Sequence, residues 1–564
     1  MAIDTIGARL AWRPAPVPAA AAALAASGIP ARLAPLLARR GVVDRGAAER
    51  FLAPAPEHLH DPFLLAGMEA VVARLLAAGA RGEGVAVVGD YDVDGITATA
   101  LLLVVLRRCG LRAEPVLPHR LREGYGFQAV HVERAAELGC RVVVTADCGV
   151  NAFAAVDAAR ARGIDVLITD HHLPGGELPA GALIVNPRQP GCTYPFADLA
   201  GVGLALKLAL ALAARSGRRL ALDPLLRIAC LGTIADLVPL RGENRVIAAL
   251  GLRSLAATRS CGLRALLRTA GLTRAVRAAD VGYKLGPRLN AAGRLDSARR
   301  ALDLLLTGDE VEAGRLAAEL DERNRERQVE ERRAYEQARA EVLARAPLPS
   351  LLVAWSAEWH KGVVGIAAGR LARELHRPTV LLSVDGEHAT GSGRSVPGVA
   401  LHAFLAAWEG ELVRFGGHSQ AIGMTVVAER LPLLRTAWEE AAAAAWSPEL
   451  LTPGHEFELE LSPAEVGVAL WRELARLEPH GPANPQPLLR VGPMTLLGRP
   501  RTFGNEHLSA CGRGDDGGLV NLIGWGWQPR AADLAGRFEV LGHLEDDGYR
   551  EGLVLRLLDA RPVG

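Results

Sequence analysis

Carboxylates and imidazoles recur in this chain at the ends of short apolar runs. Asp90, Asp92 and Asp94 lie inside Gly89-Asp90-Tyr91-Asp92-Val93-Asp94-Gly95, directly after Val85 to Val88. Asp147 ends Val142-Val143-Val144-Thr145-Ala146, Asp170-His171-His172 ends Val166-Leu167-Ile168-Thr169, and Asp236 ends the run Ile228 to Ala235. Carboxylates gathered where chain leaves a core lose hydration, and a cation is the natural partner. Carboxylates with one or two imidazoles suit Mn²⁺ or Mg²⁺, and the lack of thiolate spacing argues against structural zinc. Several aspartates can hold two metals about 3.5–4 Å apart, the arrangement used for in-line phosphoryl chemistry. For Asp90 to Gly95 taken alone, a second reading stands level: a solvated loop whose last aspartate caps the next helix.

The elements that must position these groups read as strand then helix, repeated. Strands are predicted at Val85 to Val88, Val142 to Ala146, Asp165 to Thr169 and Leu183 to Val185. Helices are predicted at Ile96 to Arg108, Asn151 to Arg162, Gly201 to Ala214 and Leu225 to Ile234. This alternation implies an α/β fold with a mostly parallel sheet covered on both faces, where ligands bind at the carboxyl ends of strands.

The 564 residues exceed one ordinary domain, and 50% hydrophobic with 23% charged residues describes a globular protein with ample core. A formal net charge of +1 gives no global nucleic-acid signature, although a local groove can still be basic. Lys207, Lys284 and Lys361 are the only lysines, so nearly every cation is an arginine, whose planar fork matches phosphate. The seven cysteines have no CxxC spacing and are expected to be reduced thiols of a cytoplasmic protein. The N-terminus lacks the order of a signal peptide and the run Ala19 to Ala23 is too short to span a membrane, so no membrane role is expected.

Four ordered motifs carry a family resemblance: Asp90-Tyr91-Asp92-Val93-Asp94-Gly95, Ala146-Asp147-Cys148-Gly149, Asp170-His171-His172 and Gly232-Thr233-Ile234-Ala235-Asp236. They resemble those of the DHH phosphoesterases and, within them, the RecJ group of single-strand-specific 5′→3′ exonucleases. The resemblance runs from about Leu59 to about Pro487 and more weakly to the end. It implies that Asp92, Asp94, Asp147, His171 and Asp236 hold two divalent cations, Mn²⁺ or Mg²⁺. It also implies a contact from His172 to the scissile phosphate, with Asp90 a catalytic residue behind the ligands. The chain departs from the pattern at Val88, where many DHH relatives carry a histidine, so one metal should have fewer protein ligands.

Arg120 and Tyr125 sit in the glycine-rich stretch His119 to Phe127. From the residues alone an exposed charged loop is favoured there; the resemblance makes the pair DNA contacts. Gly286 to Arg294 is read as a loop with small residues and two arginines; it resembles a family motif, which implies that Arg288 and Asn290 lie near the substrate. Val311 to Ala346 is read as one charged helix, a solvated connector in which Gln328, with Asn324 and Arg327, matches the family pattern. A second α/β unit starts at Leu351. Its stretches Gly391 to Ser395 and Phe415 to Ser419 read as glycine loops able to cradle an anion. Arg370, Ser392, Arg394, Ser395 and His418 are assigned to phosphate, with the 5′ end of a strand as target. Alternating apolar residues after Gly454 suggest a small OB-type β-barrel. Phe503, Trp525 and Trp527 are candidates for base stacking, although each one singly is more readily core.

The expected organisation is an N-terminal helical cover (1–80), a parallel-sheet DHH catalytic domain with a helical extension (81–305) and a long connecting helix (306–346). A DHH-associated α/β domain (347–449) and an OB-like domain (450–564) follow. The resemblance implies a metal-dependent 5′→3′ exonuclease that degrades single-stranded DNA to 5′-mononucleotides in DNA repair and recombination. A single-strand-binding protein and a helicase are the expected partners. Two alternatives remain: a DHH phosphodiesterase of short oligonucleotides or cyclic dinucleotides, and a non-catalytic single-strand-binding scaffold.

Overall fold

The computed structural model describes residues 11–563 apart from 120–122, 124, 125, 296, 297, 505 and 548–551. Arg120 and Tyr125 therefore lie outside the described residues. The chain divides into two compact units, and the division is not collinear. One unit takes Val17–Asn324 and a later segment, Leu474–Gln486; the other takes Arg325–Glu473, the chain from Pro487 onward and the residues before Val17.

The first unit is built on five parallel strands in the order Ala113–Val116, Gly84–Gly89, Cys140–Ala146, Asp165–Thr169 and Leu183–Val185. Alternate side chains enter two separate cores, as a pleated strand requires. Val85, Val87, Val142 and Val144 pack in the core that holds helices Met68–Arg81, Val93–Arg108, Gly201–Ser216 and Leu222–Ala235. Ala86, Val88, Val143 and Val166 pack with Val132, Ala135, Val156 and Ala159 of the helices Ala129–Glu137 and Phe153–Ala161. Val88 is fully buried in this second core, an apolar residue with no ligand atom to offer a metal.

Gly286 to Arg294 is not a loop. A π-helical turn, Val281–Leu285, runs into the α-helix Gly286–Leu295. Val281, Leu285 and Leu289 recur every four residues and are all buried, which gives the segment a helical apolar face. Pro287 lies inside this continuous helical run, with Gly286 between it and the π-helical turn. The helix Glu310–Leu343 follows, 34 residues long, with the boundary between the two units falling inside it.

In the other unit a mixed sheet runs Arg414–His418, Ala421–Val427, His388–Arg394, Thr379–Asp385 and Leu352–Ser356. The stretches read as glycine loops are two of these strands. Gly391 and Gly393 let neighbouring strands approach: an added Cβ would lie 2.1 Å from the Leu381 carbonyl oxygen at 391 and 2.6 Å from Ile422 at 393. A five-stranded barrel follows, formed by Leu489–Leu496, Arg537–Asp546, Leu553–Pro562, Leu519–Gly524 and His507–Gly514. Pairing of Met494–Leu496 with Gly512–Gly514 closes it. Trp527 is barrel core, whereas Trp525 and Phe503 are 48% and 36% exposed and pack edge-on with His507. The strand Ala11–Pro14 pairs with Gly454–Phe457, so the described N-terminal stretch opens with a strand ahead of the helical cover.

The seven cysteines are free. Among the described residues no single helix is long and apolar enough to cross a membrane.

Candidate metal centre

The aspartates converge at the carboxyl edge of the parallel sheet because each follows a strand or a helix that ends there. Asp92 is the N-cap of Val93–Arg108, its Oδ1 accepting from the Gly95 N–H at 3.0 Å. The cap is thus the middle aspartate rather than the last, and capping engages one of its two oxygens. Gly95 is required by crowding, since a Cβ there would lie 2.5 Å from the Asp90 nitrogen. Asp94 is buried and accepts from Gly201 N–H at 2.7 Å and Val202 N–H at 2.8 Å, the first amides of Gly201–Ser216. Such an amide pair at a helix N-terminus favours the carboxylate.

Asp147 follows its strand with φ +67°, a left-handed conformation that aspartate tolerates better than most residues. The same helix start presses on it: a Cβ on Gly201 would lie 2.5 Å from Asp147 Oδ1. Asp236 is the C-cap of Leu222–Ala235. His171 Nε2 lies 3.1 Å from Asp147 Oδ1 and 3.7 Å from Asp236 Oδ2. His172 Nδ1 is 2.7 Å from Asp170 Oδ1, and buried Asp170 also accepts from the Val150 N–H at 2.9 Å.

Three overlapping groups of potential ligand atoms result, each with its atoms within 4.8 Å of one another: Asp90, Asp92 and Asp147; Asp94, His171 and Asp236; and Asp147, His171 and His172. Asp90 thus sits among the candidate ligands rather than behind them, while its Oδ1 also accepts the Tyr91 N–H at 2.7 Å.

The electrostatics fit a cation here. Burial, then the charge of Asp92, pushes Asp94 up to about 7. Burial and the charges of Asp94 and Asp92 push Asp236 up to about 9 and Asp147 well above the usual carboxylate range. Asp147 Oδ1 is buried and, despite the nearby His171 ring, has no hydrogen bond. Burial and the neighbouring His172 charge lower His171 to about 4, which leaves a neutral imidazole suited to ligation. Burial opposes the His172 charge, but Asp170 outweighs it and raises His172 to about 9. The donor set is oxygen and imidazole only. The Cys148 Sγ is buried and lies 3.7 Å from the Val88 carbonyl oxygen.

The other unit holds the sequence-predicted phosphate residues, and only some of them meet. A Cβ on Gly365, in the first turn of Val364–Leu375, would lie 3.0 Å from both Ser392 Oγ and an Arg394 guanidinium nitrogen. A helix N-terminus, a hydroxyl and a guanidinium therefore share one small space. Burial lowers the Arg394 pKa, and among the described residues no carboxylate forms an ion pair with it. Ser395 instead donates to the Val399 carbonyl at 2.7 Å. Arg370 lies over the Tyr335 ring at 3.8 Å and is 3.5 Å from Glu331. His418 is exposed, facing Ala421, whose other neighbour is Arg394. Arg288 is held by Asp321 at 2.9 Å and by the Lys284 carbonyl at 2.7 Å; Asn290 is half-buried and Gln328 exposed.

Sequence reasoning missed Asp170 as the partner of His172, the Gly201 and Val202 amides, and Asn186, whose Nδ2 donates to the His172 carbonyl at 2.8 Å. The small pair Gly201-Val202 at a predicted helix start was the available signal.

The chain matches the DHH family N-terminal domain over residues 84–233, the DHHA1 domain over 348–444 and the RecJ OB domain over 457–558. It is 39% identical over 462 residues to the single-stranded-DNA-specific exonuclease RecJ of Bacillus subtilis, a match covering 81% of this chain and 58% of that protein. The Escherichia coli protein of the same name is 37% identical over 506 residues, covering 85% and 87%. The crystal structure of RecJ from Thermus thermophilus in complex with Mn²⁺ superposes with a TM-score of 0.82 at 30% identity, covering 99% of this chain and 80% of that one. A Mg²⁺ complex of the same protein gives 0.76. With these three domain matches in order along the chain, and a carboxylate–imidazole centre in the first of them, the chain belongs to the RecJ family of single-stranded-DNA-specific exonucleases, within the DHH phosphoesterases.

Proposed function

We propose that this chain hydrolyses single-stranded DNA from its 5′ end and releases 5′-mononucleotides, in DNA repair and recombination. The observation that carries this reading is the gathering of Asp90, Asp92, Asp94, Asp147, His171 and Asp236 at one sheet edge, with the pKa values of Asp94, Asp147 and Asp236 raised by burial and mutual repulsion. Asp92, Asp94, Asp147, His171 and Asp236 are the residues proposed to hold two divalent cations, Mn²⁺ or Mg²⁺, with Asp90 beside them. Divalent cations bound there would polarise phosphoryl oxygens and lower the pKa of water to near neutrality.

The chain's own residues do the rest. The Gly201 and Val202 amides hold the Asp94 carboxylate in orientation. Asp170 fixes the His172 ring and keeps it protonated, so a cation faces the scissile phosphate. Ser392 and Arg394 are proposed to hold the terminal 5′-phosphate with the start of Val364–Leu375. Arg120, Tyr125, Arg288, Asn290, Gln328, Arg370, Ser395 and His418 remain proposed strand contacts. A helicase would supply the strand and a single-strand-binding protein would present it, in the cytoplasm.

The test compares release of labelled nucleotide from 5′-labelled and 3′-labelled single strands, with Mn²⁺ and with Mg²⁺. Early mononucleotide release from the 5′ label alone is expected. Early release from the 3′ label, or equal release with chelator present, would refute the proposal.

A further inference from the structure

Three consecutive polar residues open the helix Gly242–Leu255, and all are buried: Glu243 and Asn244 are fully enclosed and Arg245 is 2% exposed. Burying such groups in sequence is unfavourable unless each is bonded. Glu243 takes the Lys207 ammonium, the Tyr194 hydroxyl at 2.6 Å and the His60 N–H at 2.9 Å. Arg245 donates to the carbonyls of Phe51, Leu477 and Glu478, at 2.7, 2.9 and 2.8 Å. Asn244 does something different. Its Nδ2 donates to the Asp198 carbonyl at 2.5 Å and to the Pro239 carbonyl at 3.1 Å, while its Oδ1 is buried with no partner.

Both of those carbonyls belong to chain that carries the metal centre. Asp198 lies just before Gly201 and Val202, whose amides hold Asp94. Pro239 lies just after Asp236. Between them Leu237 is left-handed at φ +61° with its side chain 67% exposed, so packing of that side chain does not hold the conformation. The turn is held from beyond: by Asn244 on Pro239, and by the Leu240 N–H on the Pro482 carbonyl at 2.8 Å.

We infer that Asn244 is a positioning residue for the metal centre, because one amide group ties the chain that holds Asp94 to the turn that carries Asp236. The inference rests on the two-cation reading above. Asn244 touches neither carboxylate, so removing it should alter metal geometry without removing a ligand or a strand contact.

The experiment uses the full chain with Asn244→Leu, which keeps the branched shape and heavy-atom count, adds bulk at the two methyl groups, and removes both donors. Mn²⁺ binding is measured by titration calorimetry without DNA, and kcat and KM are measured on single-stranded DNA with saturating Mn²⁺. The variant should retain its melting transition, bind Mn²⁺ about tenfold more weakly, and lose about tenfold or more in kcat with KM within about twofold. Wild-type Mn²⁺ affinity and kcat in a folded Asn244→Leu would overturn the inference, as would a raised KM with unchanged kcat. If Asn244→Leu does not fold, Asn244→Ala is measured in the same way; failure of both to fold assigns the residue to folding and overturns the inference. Absence of Mn²⁺ binding by the wild type would refute the two-cation reading instead, a separate result.

Discussion

Asp94→Asn separates what the metal-centre carboxylates do for the fold from what they do for catalysis. In metal-free protein Asp94 titrates at about 7 instead of 3.8, chiefly because it is buried and next because Asp92 is charged. The folded carboxyl holds its proton more tightly than the unfolded one. Metal-free stability therefore falls as pH rises from about 4 to about 7 and stays low above that. At about 1.4 kcal/mol per pH unit, ionised Asp94 costs the fold about 4 kcal/mol at pH 8. The asparagine, like the protonated carboxyl, sets one donor against the Gly201 and Val202 amides, and the raised pKa is already net of those two bonds. The variant is therefore favoured at pH 8 by a few kcal/mol, a rise of several degrees in melting temperature. At pH 5 the folded carboxyl is protonated, and the advantage shrinks by about 3 kcal/mol. Thermal melting in EDTA at the two pH values reads this difference. With saturating Mn²⁺ the order reverses, and nucleotide release by the variant falls about a thousandfold or more, corresponding to several kcal/mol of lost charge stabilisation. A wild type that melts as high as the variant at pH 8 in EDTA, or equal stabilisation of both by Mn²⁺, would refute the reasoning.

Arg394→Ala should weaken binding of 5′-phosphorylated single strands by about 10–100-fold and of 5′-hydroxyl strands far less, read by fluorescence anisotropy at fixed salt. Equal losses would remove the end-recognition role. Gly201→Ala drives a methyl group to 2.5 Å from Asp147 Oδ1, so activity should fall by about a hundredfold or more while DNA binding persists. In metal-free protein, NMR titration of the His172 ring should give a midpoint near 9. His172→Gln should then lose, below about pH 6.5, a stabilising contribution that the wild type itself loses as pH rises through about 9.

The core of the catalytic unit was legible because its signal is local. Val85 to Val88 and Val142 to Ala146 are buried on both faces, so they read as unbroken apolar runs, and polar residues directly after them mark the sheet edge. The gathering of the carboxylates at that edge was legible for the same reason. Gly286 to Arg294 was misread because small residues and a proline obscured the four-residue spacing of Val281, Leu285 and Leu289, which its packing obeys. Gly391 and Gly393 looked like loop glycines, yet their lack of a side chain serves close strand approach, a non-local demand. Asp90 could not be ranked against Asp92 and Asp94 by spacing, because the loop's fold decides which oxygens converge. The bonds of Glu243, Asn244 and Arg245 reach partners from Phe51 to Glu478, and no window of sequence contains such pairs.

The late segment Leu474–Gln486 has a consequence for synthesis. Ribosomes deliver the chain from its N-terminus, and domains tend to fold as they emerge. Here the parallel sheet and its carboxylates are complete by Asp236, but all the carbonyls that Arg245 bonds other than that of Phe51 arrive only with residues 476–479. Arg40 likewise awaits Asn484, which bonds its Nε at 2.7 Å, and Leu240 awaits Pro482. The nascent catalytic unit therefore offers Arg245 only the Phe51 carbonyl among its acceptors until residues 476–479 have been made. A chain released early, with every proposed metal ligand present, would still lack the backbone that closes around Arg245.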